Sequence, residues 1–429
     1  MVKFLACTVV NRLIIVRELK KIMAMEALSL FKRLVSIGRK SQGIAPIALS
    51  QFGLAFCFNV VMSFMPFYII HISPYTHSQT IIWIGLIMGL NSFLAAIAAP
   101  FWGSLTVKIR PKLLFQMAFC CNAVVFLLMG FVTNLPTILL LRLMQGILGG
   151  ASTIGLFMMS RISSKEHLLQ NLGFYQISMT SGQLIGPPVG AYIAAHFGYR
   201  SPFVFSFLLI VASIILCQFT VPDVNVNNLT PIDTSQSKPK IYGAVLWGWG
   251  IILVATIHLT FLPSILPYIL DGFGISGQKA IKTAGVIMMS YTAAAIVGNY
   301  AISHIMAGKS LNLGIGMVSV TAAVVQILLF FAHNPLNFTL IRALQTGIVA
   351  ATMPLVMARF AVTLGGTGIG FLNSARFAGN GLGPLLATFI LAHSNLLVLY
   401  VVISALTVFA FLGFFLTTNR LELLSGRSR

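Results

Sequence analysis

Charge is what this 429-residue chain has least of, and acidic charge above all: 8% of residues are charged, with seven Asp and Glu against 27 Lys and Arg. With 58% of residues hydrophobic, that shortage excludes a soluble globular protein and points to a polytopic membrane protein. The seven acids, Glu18, Glu26, Glu166, Asp223, Asp233, Asp271 and Glu422, all fall outside the long apolar runs or at their ends. No carboxylate sits at mid-membrane. Five cysteines, Cys7, Cys57, Cys120, Cys121 and Cys217, show no paired spacing, so neither a disulfide framework nor a zinc site is indicated, and packing between helices is role enough for them. No G-x-x-x-x-G-K-[ST] phosphate loop and no cluster of His, Cys and carboxylates is present, which argues against an enzyme, an ATP-driven pump, a metal centre or a bound cofactor.

What is there is apolar length. Twelve stretches are predicted to cross roughly 30 Å of hydrocarbon, near 45–70, 80–102, 113–133, 136–159, 171–195, 202–221, 241–268, 282–304, 312–332, 337–358, 368–393 and 396–417. With both termini placed in the cytoplasm, Lys108, Arg110, Lys112, Arg161, Lys165, Lys238, Lys240, Lys309, Arg359, Arg420, Arg427 and Arg429 all lie inside. The other side keeps Arg200, Lys279 and Lys282, so the positive-inside rule sets the orientation. The net charge of +20 is therefore topology, and nucleic-acid binding is not implied. The sequon Asn228-Leu229-Thr230 falls on the cytoplasmic side and carries no meaning there. Residues 1–43 form a basic segment whose apolar runs are too interrupted for a signal peptide; it reads as a dispensable leader, with Met23 or Met25 as alternative starts, or as a binder of anionic lipid.

The chain also repeats itself. Gly173, Gly182, Gly186-Pro187 and Gly190 in the fifth span are followed, 197 residues on, by Gly370, Gly379 and Gly383-Pro384 in the eleventh. A second block repeats at an offset of 200, Leu141-Arg142 with Gln145 against Ile341-Arg342 with Gln345. Glycines at such spacing line a groove that lets a neighbouring backbone approach, and proline bends a helix. A hydrophobic chain built of two parallel copies is expected to be a transporter whose halves rock about a central site, with these glycines and prolines forming the moving seams.

The span 5 pattern resembles the antiporter signature of the major facilitator superfamily, with Ala191 for its final glycine. Leu141-Arg142-Leu143-Met144-Gln145-Gly146 followed by Gly149-Gly150-Ala151 resembles the second signature, whose membrane arginine is thought to assist proton transfer. Pro100-Phe101-Trp102-Gly103 and the run from Ser374 to Leu385 are similar to the twelve-span drug:proton antiporters of that superfamily. In the loop after span 2, Gly103, Leu105, Lys108 and Lys112 fit the family pattern, but Val107 stands for its aspartate and Arg110 for its glycine, which puts the usual cytoplasmic latch in doubt.

The resemblance implies an all-α major facilitator fold of 12 transmembrane helices in two six-helix bundles. The bundles are expected at 44–221 and 241–418, joined by a cytoplasmic linker at 222–240 and followed by a tail at 419–429. The expected function is secondary active transport in a bacterial inner membrane, by a monomer, with proton-coupled efflux of a small organic molecule. Without an intramembrane carboxylate a cationic substrate is disfavoured, and with arginines in the spans an anionic metabolite such as a polycarboxylate siderophore is the alternative cargo; a non-transporting sensor is a third reading. Substrate contacts are expected from Arg376, about 13 Å of helix into span 11, and from the amides Gln51, Asn59, Gln145, Gln345, Asn373 and Asn380, with Asn91 and Gln183 beside them. Each amide has the alternative of bridging helices. Coupling candidates are His258 at mid-span 7, Arg142 and Asp271. Conformational roles are expected of the signature residues named above and of Gly103 and Lys108.

Overall fold

The computed structural model describes residues 43–106, 108–163, 167–221, 242–306, 310–360 and 366–424. Val107, Glu166, the linker 222–240 and the segment 1–42 lie outside them. Twelve spans follow in order, with no strand among the described residues. Spans 1 to 3 are Ile44–Ile72, His77–Leu105 and Pro111–Phe131, and span 4 is Leu135–Leu148 continued by Ala151–Ile162. Spans 5 and 6 are Leu168–Phe197 and Ser201–Thr220. Span 7 is Tyr242–Thr260 continued by Leu262–Gly272, span 8 is Gly277–Ile305, and span 9 is Leu311–Leu328 with a 3₁₀ turn Leu329–Phe331. Span 10 is Pro335–Val349 continued by Thr352–Phe360, and spans 11 and 12 are Gly366–His393 and Leu396–Leu424.

Ten of these spans are long and apolar enough to cross a membrane by composition; the two that fall short are spans 5 and 11. These are the helices of the glycine–proline repeat, in which glycine, proline and amide side chains replace aliphatic ones. A helix so poor in apolar side chains belongs inside a bundle, and both pack that way, span 5 against spans 1 and 8 and span 11 against spans 7 and 2.

Three spans read as continuous from the sequence are broken, each for a local reason. Span 4 breaks at Gly149-Gly150, where the Trp102 indole lies against Gly150 and leaves no room for a side chain, and its Nε1 donates to the Ile147 carbonyl at 2.7 Å. Span 10 breaks at the corresponding place, one residue beyond the offset of 200, at Ala350-Ala351. Span 7 breaks at Phe261, just before Pro263, which has no N–H to offer the Leu259 carbonyl. Helix starts repeat as well, since the Asn134 side chain caps span 4 at the Thr137 N–H and Asn334 caps span 10 at the Asn337 N–H, both at 2.8 Å.

Each half has its own apolar core. In the first, span 1 is buried along most of its length, and at one end Phe64 and Tyr68 pack on Phe203 while the Tyr68 hydroxyl donates to the Val132 carbonyl at 2.8 Å. The halves then exchange side chains at that end. Ile81 of span 2 is part of the second half's core, and Ile281 of span 8, 200 residues later, is part of the first half's.

Candidate functional site

Span 11 presents its faces to three different environments. At about 100° per residue, Phe371 and Phe389 share one side of the helix, and both rings are exposed, marking the side turned outward from the bundle. Gly379 and Gly383 sit against span 7, at Leu253, Thr256 and Thr260. Gly381, Pro384 and Thr388 meet span 2, at Phe93 and Gly85. The face left over, about 180° from Phe371, carries Asn373, Arg376 and Asn380, all half-buried. Among the described residues the Arg376 guanidinium meets no hydrogen-bond acceptor; the ring of Phe377 lies 5.4 Å from it. Asn373 and Asn380 likewise make no side-chain hydrogen bond. A guanidinium carries five donors, and in a span it is costly to leave them all without an acceptor.

Span 5 repeats this arrangement through the offset of 197. Exposed Phe174 and Tyr192 correspond to Phe371 and Phe389, while Gln176, Met179 and Gln183 correspond to Asn373, Arg376 and Asn380. Among the described residues neither glutamine side chain makes a hydrogen bond. Gln176 and Met179 escape a search of the sequence for charged or paired residues, although the repeat itself points to them.

The other amides fall elsewhere. Gln51 is buried inside the first half, donating to Ser152 Oγ at 3.0 Å and accepting from the Tyr175 hydroxyl at 2.9 Å, a clasp between spans 1, 4 and 5. Gln145 accepts from Arg142 Nη1 at 2.7 Å, and Asn91 donates to the Arg142 carbonyl at 3.2 Å. Gln345 is buried in the second half. Each of these three makes bonds between helices of one half, the bridging alternative expected of the amides, because a buried amide and a buried polar partner satisfy one another more cheaply than either is left open. Asn59 is half-buried and donates to the Ala55 carbonyl of its own helix at 2.8 Å, beside Gly186.

The second half holds a denser polar knot. Arg342, fully buried, donates through Nη1 to Gln345 Oε1, and through Nη2 to the His258 carbonyl at 2.7 Å and toward that of Leu259 at 3.4 Å. The Leu259 carbonyl is the one that Pro263 cannot satisfy, so the arginine serves the break in span 7. The rings of Phe261 and Tyr291 lie 4.8 and 5.0 Å from its guanidinium carbon. His258 pairs its Nε2 with Thr407 Oγ1 at 2.8 Å, and its Nδ1 faces Gln345 Nε2 at 2.8 Å and Gln326 Oε1 at 3.1 Å, while Gln345 also donates to that Gln326 oxygen. Beside it lies a void lined by His258, Ser319, Thr352 and Thr407, with about 10 Å³ open to the centre of a water molecule, about enough for one water. His258 thus sits inside the second half, in spans 7, 9, 10 and 12. In the first half, Arg142 repeats the position of Arg342 and reaches Met62 Sδ at 3.3 Å, four residues before Pro66. Asp271 is 13 residues beyond His258, about 20 Å of helix, and lies on the wall of another cavity.

The signature glycines and prolines divide between two kinds of contact. Gly182, Gly186 and Gly190 pack on span 1, against Phe52, Phe56, Asn59 and Val60, inside the first half; Gly379 and Gly383 pack on span 7 inside the second. These glycines join helices within a half. The halves meet instead through the prolines about one-quarter turn away. A Cβ on Gly285 of span 8 would lie 2.5 Å from the Ala191 Cβ and 3.0 Å from the Pro187 carbonyl, and Gly85 of span 2 presses in the same way on Thr388 and Pro384. A Cβ on Gly89 would likewise lie 2.5 Å from the Gly381 carbonyl. Gly173 has open space around it, Gly103 and Gly370 lie in the backbones of spans 2 and 11, and Lys108 is exposed after span 2.

The chain is similar to known proteins in sequence and in fold. Residues 47–341 match the Major Facilitator Superfamily. The chain is 24% identical over 376 residues to the multidrug resistance protein MdtG of Klebsiella pneumoniae (strain 342), covering 82% of this chain and 87% of that one. It is 24% identical over 360 residues to the uncharacterized MFS-type transporter YuxJ of Bacillus subtilis (strain 168), covering 80% and 90%. Its fold is similar to that of a bacterial homologue of the human lysosomal transporter Spinster, with TM-score 0.69 at 14% identity over 89% of this chain and 97% of the other. It is similar also to the nucleoside transporter NupG, with TM-score 0.67 at 12% identity over 87% and 98%. The match covers most of the chain, so this multi-pass membrane protein belongs to the Major Facilitator Superfamily and is a transporter.

Proposed function

We propose that the chain is a proton-coupled exporter of small organic molecules that carry an anionic group, acting as a monomer in a bacterial inner membrane. The observation that carries this reading is Arg376, a half-buried guanidinium on the face of span 11 opposite the exposed Phe371, with no acceptor among the described residues. An incoming carboxylate or phosphate supplies the missing acceptor, and Asn373, Asn380, Gln176 and Gln183 offer neutral donors and acceptors around it. That the relatives include proteins named for multidrug resistance supports a small organic cargo; a polycarboxylate such as a siderophore is the most highly charged cargo the site would suit.

Alternating access rests on the two seams. With the basic loops in the cytoplasm, the exchange of Ile81 and Ile281 and the tight contacts of Gly85 and Gly285 all lie in the outer halves of their spans. Farther in, Ile97, Phe101, Ile177, Val297 and Tyr300 are exposed. That supports an arrangement closed outward and open inward, ready to take cargo from the cytoplasm. His258 is the proton site in this reading, and its neighbours serve both states: neutral, Nδ1 accepts from Gln345 while Nε2–H donates to Thr407; protonated, Nδ1–H turns to Gln326 Oε1. Each proton entering down 100 mV releases about 2.3 kcal/mol.

Flux in proteoliposomes under an imposed pH gradient tests this directly, with a panel of anionic chelators and lipophilic cations. Proton-driven anion movement should be abolished by Arg376→Ala and partly kept by Arg376→Lys. Cation movement indifferent to Arg376→Ala would overturn the anionic reading. His258→Gln should remove the dependence on the pH gradient while leaving exchange of labelled for unlabelled substrate intact.

A further inference from the structure

The outer end of the second half contains a cavity of about 370 Å³ between the end of span 7, the turn joining spans 9 and 10, and the start of span 12. Its wall includes the rings of Tyr268, Phe273, Phe330, Phe338 and Tyr400, and one carboxylate, that of Asp271. Asp271 is exposed, and among the described residues its carboxylate has no ion pair or hydrogen bond; Lys279 and Lys282 follow closely in sequence yet form none with it. It is also the only one of the seven acids that the charge pattern assigns to the outer side.

A carboxylate sharing a cavity with five aromatic residues selects its ligand by charge. Ring faces are electron-rich and attract cations, a carboxylate adds a full negative charge, and an apolar body fills the remaining volume. An anion would be repelled, and a neutral apolar molecule would cover the carboxylate without pairing it. We propose that this cavity is a second ligand site, distinct from the Arg376 site, that takes an organic cation with an ammonium-like head and an apolar body.

One wall of the cavity is shared with the contact between halves. The Tyr268 ring lies 6.2 Å from that of His77, the first residue of span 2. A ligand that fixes Tyr268 therefore bears on closure of the outer end, which makes the bound cation a modulator of transport and not its cargo. Two sources offer the same chemistry: the amine head group of a membrane lipid, and a soluble amine.

The test is equilibrium binding of tetraphenylphosphonium and of dodecyltrimethylammonium to the full chain in nanodiscs, made either of phosphatidylglycerol alone or with phosphatidylethanolamine. Saturable binding is expected in phosphatidylglycerol, weakened about tenfold by Asp271→Asn, restored by Asp271→Glu and weakened several-fold by Phe330→Ala. Loss of probe binding when phosphatidylethanolamine is present identifies the lipid amine as occupant; retention identifies a soluble cation. Either supports the site. Equal affinity in the parent and Asp271→Asn, or no saturable binding of either probe in phosphatidylglycerol, overturns it.

Discussion

Arg142, Arg342 and Arg376 show how little a residue type in a membrane span says about its work. All three are arginines in apolar surroundings, yet Arg342 is tied to a broken helix, Arg142 to an amide and a thioether, and Arg376, among the described residues, to nothing that accepts a hydrogen bond. Arg342→Leu should therefore lower stability, since it leaves the His258 and Leu259 carbonyls buried and unpaired at about 1–3 kcal/mol per orphaned group; thermal unfolding in detergent would register it. Arg376→Leu should leave the unfolding midpoint nearly unchanged and affect flux alone. Tyr175→Phe, which removes the hydroxyl bonded to Gln51 and to the Ser152 carbonyl, should cost about 1 kcal/mol in the same assay. From the sequence these cases look alike, because burial and partners are set by which helix lies opposite.

Helices add a second level of meaning, carried by the repeat. The offset of 197 relates spans 5 and 11, and with them Pro66 to Pro263; the offset of 200 relates spans 2 and 4 to spans 8 and 10, through Ile81 and Ile281, Gly85 and Gly285, Asn134 and Asn334. The glycine–proline signature was legible as a place of close packing. Which partner each face meets was not, since a helix of this composition offers small residues on several sides and only tertiary contact decides among them. The seam assignment predicts that Gly85→Val and Gly285→Val hold the outer end apart, because a Cβ alone already overlaps the opposing helix. A cysteine introduced near His77 should then react faster with an impermeant thiol reagent added from outside. Unchanged labelling would show that the prolines do not form the outer closure. Gly182→Val should instead behave as a folding defect, because its neighbours, Phe52 and Phe56, belong to the same half.

For the whole molecule, two six-helix bundles meet along two pseudo-equivalent seams, span 2 with span 11 and span 8 with span 5. The matching faces of spans 5 and 11 are uneven: span 11 carries a cation at Arg376 where span 5 carries Met179. That asymmetry predicts that anion affinity follows the second half. Arg376→Ala combined with Met179→Arg, which moves the charge to the pseudo-equivalent position, should recover part of the anion binding lost by Arg376→Ala alone. Measuring Kd for the three proteins in one anion checks this, and no recovery would mean that the two faces do not open on a common space. The orientation on which the direction of transport rests is checked separately by a cytoplasm-specific reporter fused at the C-terminus, which should be active.

The sequence by itself determined the class of the protein, its twelve spans, the repeat and the absence of any mid-span carboxylate, because hydropathy, charge and spacing are properties of the chain read one residue at a time. Tertiary structure decided the rest: that Gln51, Gln145 and Gln345 are helix bridges, that His258 lies within one half, that the signature glycines pack inward while Gly85 and Gly285 form the seams, and that Asp271 faces an aromatic cavity. The physical reason is the same in each case. In a medium that offers no hydrogen bonds, a polar side chain's role is fixed by the partner it finds, and that partner comes from a helix far away in the chain.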